Sequence, residues 1–271
     1  MRDERGAGTA NPPRWEDTHG LPAYHTANYV PERLVEEMYD GRTLGRLLAR
    51  KLTRKFRSAS RFEDSGESIV AYYGPIAVFD RPEHHMGGLA FGRGVPRVLN
   101  ELGIGRCRRL FEFCAGPGYV GYSLLAAGWC ETLVLADIDP AAVAAARRTA
   151  SHNGLEDRVT VYESDVLDDI PGSEEWDLVI GNPPHFLPDP ARHPSMKVFD
   201  SDWQVHERFY AAAKWYVRSG GLVIMSENTA AADPELFADM IRRGGGNPVV
   251  NHPGTDIHGE PNGLYYQVSE W

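Results

Sequence analysis

The spacing of apolar residues changes twice along this chain, and the changes divide it. Leu44, Leu48, Leu52 and Phe56 recur every four residues, with Leu47 beside them. That spacing predicts one apolar stripe on a helix, with Arg46, Arg50, Arg54 and Arg57 on its other faces. An earlier helix is predicted over Glu32 to Met38, with Pro31 as its first residue. Residues 65–68 break the pattern, and 69–79 reads as extended chain interrupted by Gly74-Pro75. His84-His85 and a glycine-rich stretch ending at Gly94 follow, and read as a loop.

From Val95 the rhythm becomes an alternation. Val95 to Leu102 predicts a helix, Arg109 to Phe113 a short strand, and Val120 to Ala127 the next helix. Thr132 to Ala136 is a buried strand that ends in Asp137. Asp139-Pro140 supplies a cap and a first-turn proline for an alanine-rich helix that runs to Ser151, and Asn153-Gly154 ends it. Val159 to Tyr162 and Trp176 to Ile180 predict the third and fourth strands. A helix over Trp203 to Val217, a strand over Leu222 to Met225, a helix over Pro234 to Arg243 and a strand over Leu264 to Val268 complete the chain. Strands and helices alternating over short connections predict a doubly wound α/β domain with a mostly parallel sheet. The expected division is an extension over residues 1–94, with helices and a substrate lid, and a catalytic domain over 95–271.

Composition narrows the class. The 271 residues are 42% hydrophobic and 24% charged, ordinary for a globular protein. No apolar run approaches the roughly 20 residues that span a bilayer. The polar Gly- and Pro-containing start, Met1 to Arg14, has no apolar signal core, so a disordered tail and a cytoplasmic protein are expected. Cys107, Cys114 and Cys130 lack metal-ligand spacing and read as reduced thiols; no metal is expected. A net charge of −10 disfavours nucleic acid as a partner, because such binding neutralises phosphates. The basic stretch between Arg42 and Arg61 is the local exception. Its one aromatic residue, Phe56, falls on the apolar stripe, so it reads as a solvated face or ion-paired lid ahead of an RNA contact. The sequence leaves oligomeric state open.

The chemistry sits at strand ends, where open parallel sheets bind ligands. Glu112-Phe113-Cys114-Ala115-Gly116-Pro117-Gly118 closes the first strand, and Asp137 the second. Asp165 and Val166 follow the third strand, and Asn182-Pro183-Pro184-His185 the fourth. Gly116 and Gly118 let backbone pass close to a ligand. Gly116-x-Gly118-x-x-Gly121 also matches the dinucleotide fingerprint, with Asp137 about twenty residues on. The match at all four strand ends, in order, favours a different family.

These motifs resemble the class I S-adenosylmethionine-dependent methyltransferases, and within them the branch that methylates nitrogen through an Asn-Pro-Pro-aromatic motif. The resemblance covers residues 95–271 and is strongest over 110–186. It implies a seven-stranded Rossmann-like sheet and S-adenosylmethionine as cofactor. It places Glu112 near the cofactor's ammonium group, Asp137 on the ribose hydroxyls and Asp165 on the adenine amine. Cys114 stands where the family often has glycine. Asn182 and the Pro183 carbonyl would orient the acceptor nitrogen, with the prolines stiffening the loop. His185 replaces the usual aromatic residue, so it is expected to stack on the acceptor or take its proton. Phe186, His85, Trp203 and His206 are the expected acceptor-pocket residues, and Glu227 the anchor for a cationic acceptor.

The preferred acceptor is a small molecule, amino-acid-like, with an amide, amine or guanidine nitrogen, free arginine included. The alternative is a macromolecular acceptor, an RNA base or a protein glutamine. A cofactor-binding regulator without turnover is the reading from another class, and the intact Asn182-Pro183-Pro184 argues against it.

Overall fold

A computed structural model describes residues 62–64, 69–81, 94–186, 199–229, 231–255 and 261–271. The helices expected before residue 61, the basic stretch, His84 and His85 lie outside the described residues. Ten strands and five α-helices appear among the described residues: β1 (Phe62–Asp64), β2 (Ile69–Tyr73), β3 (Ile76–Asp80), α1 (Gly94–Glu101), β4 (Cys107–Phe113), α2 (Tyr119–Ala126), β5 (Cys130–Asp137), α3 (Pro140–His152), β6 (Val159–Glu163), β7 (Trp176–Gly181), α4 (Gln204–Ala213), β8 (Val217–Asn228), α5 (Pro234–Gly244), β9 (Asn247–Thr255) and β10 (Pro261–Glu270).

Seven strands form one sheet in the order β6-β5-β4-β7-β8-β10-β9. The pairings β4–β5, β5–β6, β4–β7 and β7–β8 are parallel, while β10 runs antiparallel to both β8 and β9. The chain therefore moves outward from β4 in one direction through β6, then restarts on the other side of β4 with β7. That reversal makes the carboxyl ends of β4 and β7 the switch point of the sheet, where a crevice opens.

Successive side chains on a strand face opposite ways, and the two cores follow that period. Leu110, Leu133, Leu135, Leu178 and Ile180 join a core with α1, α2 and α3. Phe111, Phe113, Val134, Val179, Val223 and Met225 join a second core with α4 and α5. Burial on both faces is why these strands read as continuous apolar runs. The helix signals behave as their chemistry requires: Asp139 accepts the Ala141 N–H with Pro140 at the first helical position, and Gly154 follows the end of α3 at φ +62°.

The 69–79 stretch is the hairpin β2–β3, turning at Gly74-Pro75. Its inward residues Ala71, Tyr73, Ile76 and Val78 join the first core. Asn153 on the end of α3 clamps it, accepting the Ala77 N–H and donating to the Ala77 carbonyl, both at 2.9 Å.

Three boundaries differ from the sequence reading. The helix expected over Trp203 to Val217 is α4 alone: Asp202 and Trp203 lie at φ +54° and +58° before it, and Val217 already starts β8. The strand expected over Leu222 to Met225 extends from Val217 to Asn228 because its tail pairs with β10. β9 has no counterpart in the sequence reading, and it carries two prolines, Pro248 and Pro253. It is the sheet's edge, where a missing N–H can face away from the ladder.

Candidate active site

Phe113 and Gly181 are partners in the register of β4 and β7, so Cys114 and Asn182 leave neighbouring strands side by side. The β4 turn is built on left-handed backbone. Cys114, Gly116 and Gly118 have φ of +51°, +54° and +85°. This explains why glycine suits position 114: a residue with a Cβ costs on the order of 1–2 kcal/mol there. Burial, and then the nearby Asp137 carboxylate, push the Cys114 thiol well up, so it stays protonated and unreactive.

Asp137 fixes the turn. Its Oδ2 accepts the Gly116 N–H at 2.7 Å and its Oδ1 the Asp139 N–H at 2.9 Å. The two glycines divide the labour differently from expectation. A Cβ on Gly116 would meet nothing within 4 Å, so this residue faces open space. A Cβ on Gly118 would lie 2.8 Å from Leu135 and 2.9 Å from the Tyr122 ring. Gly118 therefore allows α2 to pack on β5, and bulk there strikes Leu135 and Tyr122 in the core.

Glu112 is buried behind the same turn and accepts the Gly121 N–H at 2.7 Å. Burial pushes its carboxyl up to about 8, opposed by the N–H groups of Gly121 and Val120. An acid held protonated by burial is poised to ionise when a cation arrives. A Cβ on Gly121 would sit 2.6 Å from Glu112 Oε2, which is what that glycine makes room for.

Beside Asp137, Ile138 is 63% exposed. A large apolar side chain left open at this end of the sheet offers a surface to a flat ring, and the sequence reading passed over it. Val166 lies at φ +58° and is buried in the second core. The exposed Asp165 carboxylate is engaged by Arg208 of α4 at 3.0 Å.

At the end of β7, the Oδ1 of Asn182 is buried and accepts no hydrogen bond among the described residues. An unsatisfied carbonyl in such a place is costly, about 1–3 kcal/mol, unless a ligand supplies the donor. Phe186 bridges to Phe199, and its carbonyl accepts the Asp200 N–H at 2.8 Å. That contact brings Asp200 beside the motif.

Asp200 is 1% exposed and accepts the Val205 N–H, the His206 N–H and a contact from His206 Nδ1 at 2.6 Å. The other ring nitrogen, Nε2, lies 3.0 Å from Glu227 Oε1. Glu227 is 0% exposed, its Oε2 accepts no hydrogen bond among the described residues, and it lies 3.9 Å from His185 Nδ1. Burial lowers the affinity of His206 for its proton, but Glu227 and Asp200 outweigh it and push the imidazole up to about 9. Burial pushes the Glu227 carboxyl up, and His206 pulls it back. His206 is buried because it opens the inward stripe of α4, His206-Phe209-Tyr210-Ala213, and its ring stacks on Phe237 at 4.3 Å.

The structure thus brings Asn182, Pro183, His185, Phe186, His206 and Glu227 to one end of the sheet, beside the turn that carries Cys114, Gly116 and Asp137. Trp203 packs edge-on to Phe237 and His206, at 5.3 and 5.9 Å. Its left-handed backbone takes it out of helical register with His206. Asp200 was missed. Its signal was an acid a few residues ahead of a helical run, the composition of a helix cap.

The Methyltransferase small domain family model matches residues 96–243, more than half of the chain. The ribosomal RNA small subunit methyltransferase C of Haemophilus influenzae (strain PittGG) is 29% identical over 129 residues, 48% of this chain and 35% of the relative. The release factor glutamine methyltransferase of Clostridium acetobutylicum is 28% identical over 96 residues, 35% of this chain and 34% of the relative. The chain spans about a third of the length of these curated relatives. Among solved structures, the Thermus thermophilus 16S rRNA N2 G1207 methyltransferase, in complex with AdoMet and guanosine, shares the fold at a TM-score of 0.52 and 15% identity, over 78% of this chain and 50% of that one. Sheet order, strand-end motifs and the family match agree: the chain belongs to the methyltransferase small domain family, with the class I S-adenosylmethionine-dependent methyltransferase fold.

Proposed function

We propose that this protein transfers a methyl group from S-adenosylmethionine to a planar, conjugated nitrogen carried by a macromolecule, an RNA base amine or a protein glutamine amide. The observation that carries the reading is the buried Asn182 carbonyl with no donor of its own, beside the turn that Asp137 holds. The residues present fit the cofactor. Gly116 faces open space, Asp137 places a carboxylate at the end of β5 beside it, and Glu112 is a buried acid suited to an ammonium group.

The cofactor, when bound, supplies a methyl group already activated on a sulfonium. The chain's task is then to position the acceptor. Asn182 Oδ1 and the Pro183 carbonyl accept the acceptor's N–H groups and turn its lone pair toward the methyl. Pro183 and Pro184 remove backbone freedom that would blur that alignment. His185 and Phe186, 4.9 Å apart between ring centres, flank the loop with flat surfaces.

The macromolecular acceptor follows the relatives, which are named for ribosomal RNA and for release factor glutamine. Two observations favour a second reading, a small amine or guanidine acceptor: His185 replaces the aromatic residue, and a buried carboxylate faces it. The test is transfer of radiolabelled methyl from the cofactor to separated RNA, protein and metabolite pools, with Asn182→Ala as control. Label in RNA or protein, on nitrogen, is expected. Label in metabolites alone supports the second reading, and label on oxygen or carbon overturns nitrogen transfer altogether.

A further inference from the structure

We infer that Asp200, His206 and Glu227 form a buried relay that presents Glu227 Oε2 to His185 and so makes His185 the proton acceptor of the transfer site. The inference deepens the proposed function and rests on it for the identity of the transferred group. The geometry stands by itself.

Three observations carry it. His206 is held at both ring nitrogens, 2.6 Å from Asp200 Oδ2 and 3.0 Å from Glu227 Oε1. Such a ring cannot turn: it is either an imidazolium between two carboxylates or a neutral ring that donates to one and accepts the proton of the other. With one proton shared over the two contacts beyond the neutral ring's own, the group of Asp200, His206 and Glu227 bears one net negative charge inside the protein in either arrangement. Buried charge of that kind demands a partner. The oxygen that has none among the described residues is Glu227 Oε2, and it lies 3.9 Å from His185 Nδ1. The structure thus keeps one buried oxygen for a positive charge that forms beside Asn182.

The chemistry needs that charge to form. When an –NH2 group attacks, its lone pair makes the new N–C bond and the C–S pair stays on sulfur. The nitrogen becomes cationic and must release a proton. The N–H pair remains on nitrogen, and the proton passes to the His185 imidazole, whose positive charge then faces Glu227. Asp200 and His206 act as positioning residues: they never touch the acceptor, but they fix which Glu227 oxygen is satisfied and which is left for His185. Asp200 serves twice, since it also accepts the Val205 and His206 N–H groups at the start of α4.

Other groups facing Glu227 do not compete for this role. Tyr210, Tyr265 and the Cys114 thiol lie within its electrostatic reach. All three are pushed up by burial, so each stays neutral across the working range. Phe237, stacked on His206, closes the relay from α5.

Histidine side-chain NMR on the full chain tests the relay without any acceptor. His206 should hold its proton to around pH 9 in the native protein. Asp200→Asn keeps a capping oxygen but removes a charge, and should lower that titration. Glu227→Gln should lower the His185 titration by at least about one pH unit, as expected for losing a charge near 4 Å. An unmoved His185 in a folded Glu227→Gln variant overturns the inference, and so does a native His206 that titrates near its ordinary value. Where Glu227→Gln fails to fold, Asp200→Asn decides: an unmoved His206 overturns the relay. With the acceptor identified, Glu227→Gln should cut kcat at least tenfold, leave cofactor affinity unchanged and shift the pH–rate limb assigned to His185. Absence of methyl transfer to every pool would overturn the proposed function while leaving the NMR result standing.

Discussion

The proposed cofactor side and the proposed acceptor side of the site are made in different ways. The cofactor side is a backbone device: a left-handed turn after β4, one carboxylate on β5 that holds it, and a buried acid beneath. Its parts lie within residues 112–139 and sit where consecutive strands end. The acceptor side is a side-chain device. It joins the β7 loop, the turn at Asp200, α4 and the far end of β8, and its working atoms are buried and partly unsatisfied. A site that must accept one invariant cofactor can be written in backbone and glycine. A site that must choose among acceptors is written in side chains, which can be exchanged without rebuilding the sheet.

If that division is real, Asn182→Ala should separate the two sides. Turnover should fall by at least about a hundredfold, the scale of removing one positioned polar group at a reacting centre. Cofactor affinity should hold, because the turn and Asp137 are untouched. Kinetics alongside calorimetry checks this, and an equal loss in both would show that the sides are not distinct.

Asp137→Ala should do the reverse. It removes the acceptor of the Gly116 and Asp139 N–H groups together with the carboxylate proposed for the ribose. Cofactor affinity should weaken by about 1.5–3 kcal/mol, the range for charge-assisted hydrogen bonds. Unchanged affinity by calorimetry would remove Asp137 from the cofactor site.

The same division explains what could be read from sequence. The places of Gly116, Gly118, Asp137 and Asn182 at successive strand ends were legible because position along an alternating chain fixes where a strand ends. Glu227 was legible for that reason too, at the active-site side of the fifth strand. Asp200 was not, because its proximity to His206 depends on left-handed backbone at Asp202 and Trp203. Asp tolerates such a conformation but Trp203 does not advertise it, and a continuous helix was the natural reading. What surrounds Gly118 was not legible, because glycine reports that space is scarce without saying what fills it. Here it is Leu135 and Tyr122. β9 was hidden by prolines that only an edge position tolerates.

The two glycines turn that lesson into a measurement. Gly118→Val adds bulk against Leu135 and Tyr122 on backbone at φ +85°, and should lower stability by about 1–3 kcal/mol, the cost of overpacking. Gly116→Val meets no side chain, so its stability cost should be confined to backbone strain and its main effect should be on cofactor affinity. Denaturant melts and calorimetry on both variants distinguish the cases. Equal destabilisation would show that Gly116 does not face open space.

The last effect concerns Glu112, and its sign follows from the direction of the shift. The carboxyl is raised from about 4.5 to about 8 by burial. Below pH 4.5 the folded and unfolded chains both carry the proton, and nothing is lost. Between pH 4.5 and 8 the unfolded chain releases it while the folded chain keeps it. The unfolded state then binds fewer protons, so stability falls as pH rises through this window and levels above it. Glu112→Gln removes the titration but retains an oxygen for the Gly121 N–H. The variant should therefore gain on the native protein as pH rises from 5 to 8, read as the difference between their melting temperatures. Cofactor should reverse the trend. A bound ammonium group favours the ionised carboxylate, so native affinity should rise across the same window while that of the variant changes less. Parallel stability curves for the two proteins would show that Glu112 is already ionised in the fold. Parallel affinity curves would show that the buried acid serves the turn and not the cofactor.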